Sequence, residues 1–200
     1  GKSISRSTVQ IMPMMEMDMN GMKISHSAPF ENPLSLDADN SLFQCATVFT
    51  MPSTGESGKW KMTVMVKKEG QTKFGKAEMP IQVKQSQPER VKNITTANGS
   101  KIIVAYVSPL SPKVGVNDFE LAIFRKQDMM TFPAEDSYSI SMTPEMPSMG
   151  HGSPNNVNPV LTKNGHYKGK VNFTMTGDWR INLELNKDGL STKTFFDLLF

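Results

Sequence analysis

Two stretches of this chain follow one pattern. Ser57–Gly70 reads SGKWKMTVMVKKEG and Thr176–Gly189 reads TGDWRINLELNKDG. Each opens on Gly-x-Trp, alternates apolar with polar residues, and stops at glycine. A period of two places Trp60, Met62, Val64 and Val66 on one side of an extended strand, with Lys61, Thr63, Met65 and Lys67 on the other. Both stretches follow an aromatic-Thr-Met step, Phe49-Thr50-Met51 and Phe173-Thr174-Met175. Further upstream, each has a methionine-rich run leading into a histidine: Ile11–Pro33 with His26, and Ser141–Pro159 with His151. A chain that repeats itself at this spacing is built of repeated units. Its 200 residues are enough for two domains of ordinary size.

The rest of the chain alternates in the same way. Val9, Ile11, Pro13, Met15, Met17 and Met19 alternate with Gln10, Met12, Met14, Glu16 and Asp18, which reads as a strand with one apolar face. Asn20-Gly21 supplies a turn tolerant of positive φ. Ser25–Asn40 reads as a long loop. Phe43, Cys45, Thr47 and Phe49 would line one face of a second strand, with Cys45 as a buried thiol, and Lys73–Val83 fits a fourth strand. Gln85–Ser100 is polar and aperiodic and reads as an interdomain linker.

In the later unit, strands fit Ile102–Val107, Tyr138–Met146, Tyr167–Met175, Asp178–Lys187 and Thr192–Phe200. Phe119, Leu121 and Ile123 favour another, while Phe124 breaks the alternation and leaves a helical turn open there. No amphipathic helix stands out. The fold class is therefore all-β: two tandem immunoglobulin-like β-sandwich domains, residues 1–84 and 101–200, joined by 85–100. A hydrophobic content of 38% suits sandwiches, whose strands commit one face each to the core. The first unit has no counterpart of the strands at 101–126, so it should lack its N-terminal strands. Its edge would then be covered by chain preceding Gly1, by a partner, or by the second domain.

Several function classes are disfavoured. The net charge of +3 is scattered and makes no electrostatic footprint for nucleic acid. No apolar run approaches the roughly 20 residues that span a bilayer. Nucleophile elbows, His-Glu-x-x-His pairs, phosphate-binding glycine loops and Cys-His pairings are all missing from the sequence, which argues against an enzyme. One cysteine precludes an internal disulfide, and three histidines preclude chemistry that needs several imidazoles in one place. Methionine is the anomaly, at 16 residues.

The run Met146-Pro-Ser-Met149-Gly-His151-Gly152 is followed by a Pro-rich loop, then His166-Tyr167, then Phe173-Thr-Met175-x-Gly177-x-Trp179. This pattern resembles the YtkA-like domain, related to FixH. The resemblance covers roughly 100–200 and, with weaker motif fidelity, Val9–Val83, where Gly21-Met22-Lys-Ile-Ser-His26 stands in place of Met-Gly-His. It implies small exported β-sandwich domains linked to copper handling. The protein would then be periplasmic, or a lipoprotein held at a bacterial envelope by a lipid anchor upstream, and would pass metal to an envelope protein partner.

The Met/His segments admit two readings. Thioether sulfur suits Cu(I), and imidazole suits either oxidation state of copper. On that reading the candidate ligands are Met146, Met149 and His151 in the second unit, and Met17, Met19, Met22 and His26 in the first. On the other reading the methionines fill a core and the histidines order their loops. The protein would then be a metal-free extracytoplasmic interaction module with exposed Met12 and Met14 as a contact patch. His166, after Asn164-Gly165, reads first as a turn residue.

Overall fold

The computed structural model describes residues 7–33 and 42–200. It divides into two units, Gly1–Gln85 with Asp128–Phe132, and Ser86–Gln127 with Pro133–Phe200. All regular structure among the described residues is strand, apart from one 3-10 turn at Gly55–Ser57.

The first unit comprises β1 (Ser7–Met19), β2 (Met22–His26), β3 (Phe30–Glu31), β4 (Ala46–Thr47), β5 (Gly58–Lys68) and β6 (Gly75–Ile81). Its main sheet is antiparallel in the order β2-β1-β5-β6, and β3 pairs with β4. Asn20 and Gly21 connect β1 to β2 with φ of 56° and 84°. Two consecutive positive φ angles make the turn whose twist matches a hairpin, which is why Asn-Gly occupies it. The core cluster is Met15, Ala28 and Trp60, with Met17, Phe49, Met51, Ile81 and Val83 packed around it.

The second unit comprises β7 (Val91–Thr95), β8 (Lys101–Ser108), β9 (Gly115–Arg125), β10 (Ser139–Met146), β11 (His151–Gly152), β12 (Val157–Lys163), β13 (His166–Phe173), β14 (Asp178–Lys187) and β15 (Leu190–Leu199). Two sheets, β11-β10-β14-β15 and β12-β13-β9-β8-β7, make an immunoglobulin-like sandwich. Side chains from both sheets meet in one core that includes Val104, Leu121, Phe173, Trp179, Ile181, Leu183 and Phe196. Successive inward positions of β14 belong to that core, so its period of two is the signature of burial on one face.

The two units share a plan. β1, β2, β5 and β6 follow the same order and pairing as β10, β11, β14 and β15. β3 and β4 take the places of β12 and β13 in chain order. Nothing among the described residues of the first unit corresponds to β7, β8 and β9. Three expectations are corrected. The polar stretch 85–100 contains β7, an edge strand paired with β8. The strand expected around Phe43–Phe49 shortens to the two residues of β4, and Cys45 is exposed rather than buried. Phe124 lies in β9, opposite Ile103; the whole run Leu121–Phe124 is buried, so alternation fails because both faces are covered.

Candidate metal centre

In the second unit, β10 ends at Met146 and the turn Pro147–Gly150 returns the chain to β11. The N–H groups of Met149 and Gly150 both donate to the Met146 carbonyl, at 3.1 and 2.9 Å. Ser148 ties the turn to the start of β14: its N–H donates to the Asp178 carboxylate at 3.1 Å, and its hydroxyl bonds the same group. These bonds hold the Asp178 carboxyl below its ordinary range, the Ser148 hydroxyl contributing most. The turn thereby sets Met146 directly opposite His151.

The ring of His151 is fixed on two sides. Its Nδ1 lies 2.9 Å from the Gly152 carbonyl. A carbonyl can only accept, so Nδ1 carries the hydrogen and Nε2 of the neutral ring keeps its lone pair. This is the arrangement that orients a metal-binding imidazole. The ring also meets Trp179 edge-on, centroids 5.9 Å apart. Trp179 is itself fixed: Nε1–H donates to the Met175 carbonyl at 3.0 Å, and Phe173 packs against the indole at 5.3 Å. On the neighbouring strand, Pro144 faces Ile181 and Glu145 faces Arg180, which brings Met146 level with Trp179. The Met146 methyl lies over Gly177, where any Cβ would overlap it.

The first unit repeats this arrangement. Met15 faces His26 across β1–β2 and Trp60 across β1–β5. His26 Nδ1–H donates to the Ser27 carbonyl at 2.8 Å, again leaving Nε2 with the lone pair. The ring meets Trp60 edge-on at 5.4 Å. Trp60 Nε1–H donates to the Met51 carbonyl at 3.0 Å, and Phe49 packs on the indole at 5.0 Å. The Met15 methyl lies 2.9 Å from where a Cβ on Gly58 would be. Among the described residues, nothing bonds Nε2 of either ring.

The candidate ligands divide into those that meet an imidazole and those that do not. Met146 and His151 are brought together; Met149 sits on the turn, 59% exposed. His26 is brought together with Met15, a residue that parity had assigned to the core alone. Met17 is half-buried, while Met19 and Met22 stand exposed at the hairpin tip. Met51 and Met175 contribute their carbonyls to the tryptophans. His166 bonds Glu120 through Nδ1 at 2.7 Å on β13.

Among the described residues, no three His, Cys, Asp or Glu side chains gather in a way that could hold a metal ion. A metal here would rest on thioether and imidazole, a donor set that fits a soft ion such as Cu(I) and disfavours Mg or Ca. In both units a histidine whose Nε2 bonds no described residue stands opposite a methionine on the neighbouring strand.

Residues 96–184 match the family model described as YtkA-like. The matched span holds Met146, His151, Gly177 and Trp179. No curated protein and no solved structure matches the chain. No helix among the described residues is long and apolar enough to cross a membrane.

Proposed function

We propose that this is an extracytoplasmic copper-binding protein, a carrier or buffer rather than a catalyst, working in a bacterial envelope and handing its cargo to an envelope partner. One observation carries the reading: Met, His and Trp recur at the same strand positions in both units, with each imidazole held by Nδ1 so that Nε2 is bare. Copper would be bound by His151 Nε2 and the Met146 sulfur, with the exposed Met149 as a further donor. Transfer would proceed by ligand exchange, because thioethers hold the ion weakly and an incoming donor can displace them one at a time. The YtkA-like match over 96–184 supports export and a link to copper.

Cu(I) titration against a competing chelator tests it, using the parent chain and a chain with His26→Ala and His151→Ala. Tight stoichiometric binding by the parent and its loss in the double variant are the expected results. Undiminished binding by the variant, or none by the parent, overturns the reading.

One observation favours the alternative of a metal-free interaction module. Met62, Val64 and Val66, on the core side of β5, are only half-buried, and Met79 beside them on β6 is exposed. An apolar strip of this kind can receive a partner. A stable complex formed through these residues by protein that takes up no copper would favour that alternative.

A further inference from the structure

The hairpin β1–β2 displays a row of methionines that core packing does not explain. Across it, Met19 faces Met22, Met17 faces Ile24 and Met15 faces His26. Residues directly opposite in an antiparallel pair share a face, as do residues two apart along a strand. All six side chains therefore project to one side, in three rungs. Exposure falls along the row: Met22 is 66% and Met19 57% exposed, Met17 is half-buried, His26 is 8% exposed and Met15 is 0% exposed. The tip touches no core, so core filling does not account for Met19 and Met22. The other face of the hairpin is polar, with Asp18 opposite Lys23 and Glu16 opposite Ser25. Rungs two residues apart are separated by roughly 7 Å, within the swing of two flexible thioether side chains.

At the inner end, His26 opens a buried run, His26–Pro29. The Ser27 hydroxyl donates to the Pro13 carbonyl at 2.7 Å, which anchors that run to β1. The imidazole is thus largely buried, with an Nε2 that bonds no described group and is not sealed from solvent, and it stands opposite Met15, the deepest methionine of the row.

We propose that this face is an uptake track for a soft monovalent cation of the Cu(I) or Ag(I) class. The ion is caught between Met19 and Met22, passes Met17, and comes to rest at Met15 and His26. The inference rests on the copper-binding reading and adds a site outside the matched span 96–184. Each step exchanges one neutral donor for another. The ion keeps its oxidation state, and no proton leaves His26, whose hydrogen sits on Nδ1. The second unit has no such track. Only Pro147–Gly150 separates Met146 from His151, against Glu16–Ser25 between Met15 and His26, and His151 is half-buried. The first unit accordingly holds its ion longer, and the second exchanges faster.

Ag(I), which avoids redox side reactions, is the probe. The chain has two tryptophans, Trp60 beside His26 and Trp179 beside His151, so Trp179→Phe leaves Trp60 as the sole indole reporter. In that background, Ag(I) is expected to quench Trp60, and Met15→Leu or His26→Gln to abolish the quench. Met19→Leu with Met22→Leu should slow loading about 10-fold or more by removing the local capture step, while leaving final affinity within about 3-fold. Loading at the parent rate overturns the track. Quenching of Trp179 in a Trp60→Phe chain, without quenching of Trp60 in its counterpart, overturns the first-unit site and leaves the copper reading standing. Quenching of neither removes both. Methionine methyl NMR on the chain with both tryptophans provides an independent readout, in which Met19, Met22, Met17 and Met15 should all shift on loading. Shifts confined to Met146 and Met149 would overturn the proposal.

Discussion

The first and second units place Met, His and Trp in the same register but surround them differently. In the second unit, β14 is covered by a second sheet, and Ile181, Leu183 and Leu185 are all buried. In the first, the matching positions of β5, Met62, Val64 and Val66, are half-exposed, and the core cluster is Met15, Ala28 and Trp60. What both units keep is the corner where Met, His and Trp meet. Counterparts of β7, β8 and β9, which close the sandwich of the second unit, are not found among the described residues of the first, yet the corner is built in both. The corner therefore depends on the strand register of one sheet and not on how fully that sheet is covered.

The sharpest test of this contrast is a truncation at one matched position in each unit. Leu183 faces Met142 and Val64 faces Ile11, at the same step of the two ladders. Leu183→Ala should lower the stability of the second unit by roughly 2–5 kcal/mol, because it opens a cavity in a closed core. Val64→Ala should cost less than about 1 kcal/mol, since part of that side chain is already in water. Urea melts that follow the two tryptophans separately would check both. Equal losses would mean the first unit is as well sealed as the second, and the comparison would fall.

A smaller effect is expected at the glycines beneath the methionines. Gly177 has φ +137°, a region that only glycine adopts readily, and Gly58 is extended at −159°. Gly177→Ala should therefore cost about 1–3 kcal/mol and displace the Met146 methyl. Gly58→Ala should cost less, because Thr54 and Met15 can rotate away from the new Cβ. Both should weaken binding at their own site more than at the other, as read by Ag(I) titration with the local tryptophan. A larger stability loss at Gly58 would reverse the ranking.

The smallest expected effect is an acid sensitivity confined to the second unit. Glu135 is buried there, and burial pushes its pKa up. The bonds from Ser137 and from Lys187, the latter at 3.1 Å, outweigh burial and hold it below the ordinary range. Tyr138 and Tyr167 lie beside it, and their own ionisation is pushed to higher pH, chiefly by burial. A carboxyl depressed in the folded state stabilises fully above its unfolded value and loses that contribution as pH falls through the folded value. The second unit should therefore weaken below about pH 4 while Glu135 is present. Glu135→Gln should cost about 1 kcal/mol at neutral pH and flatten the acid limb of its melting profile. An unchanged limb would mean other carboxylates set it.

Much of the fold could be read from alternation. β1, β10 and β14 each have one buried face, and a buried face leaves a period of two in the sequence; β5 shows the same alternation although its core side is only half-buried beyond Trp60. β7 was not legible, because an edge strand whose residues are half-exposed or exposed shows no clean alternation. β3, β4 and β11 are two residues long and too short for a period. Parity correctly placed Met15 with Val9 and Ile11, but it carries no information about where along a strand the core ends. The signal that would have found the corner was present: Pro13-x-Met15 and Pro144-x-Met146 both lie opposite the Gly-x-Trp strand. The histidines stood out because they are few. Their fixed Nδ1 bonds could not be read, since they depend on the ring rotamer.

The fall in exposure from Met22 to Met15 also sets an order of chemical wear. Peroxide reaches accessible sulfur first, so Met19, Met22 and Met149 become sulfoxides before Met15 or Met146 does. A sulfoxide presents a hard oxygen in place of a soft sulfur. Under oxidant, each unit therefore loses its outermost thioethers first and keeps its innermost sulfur longest.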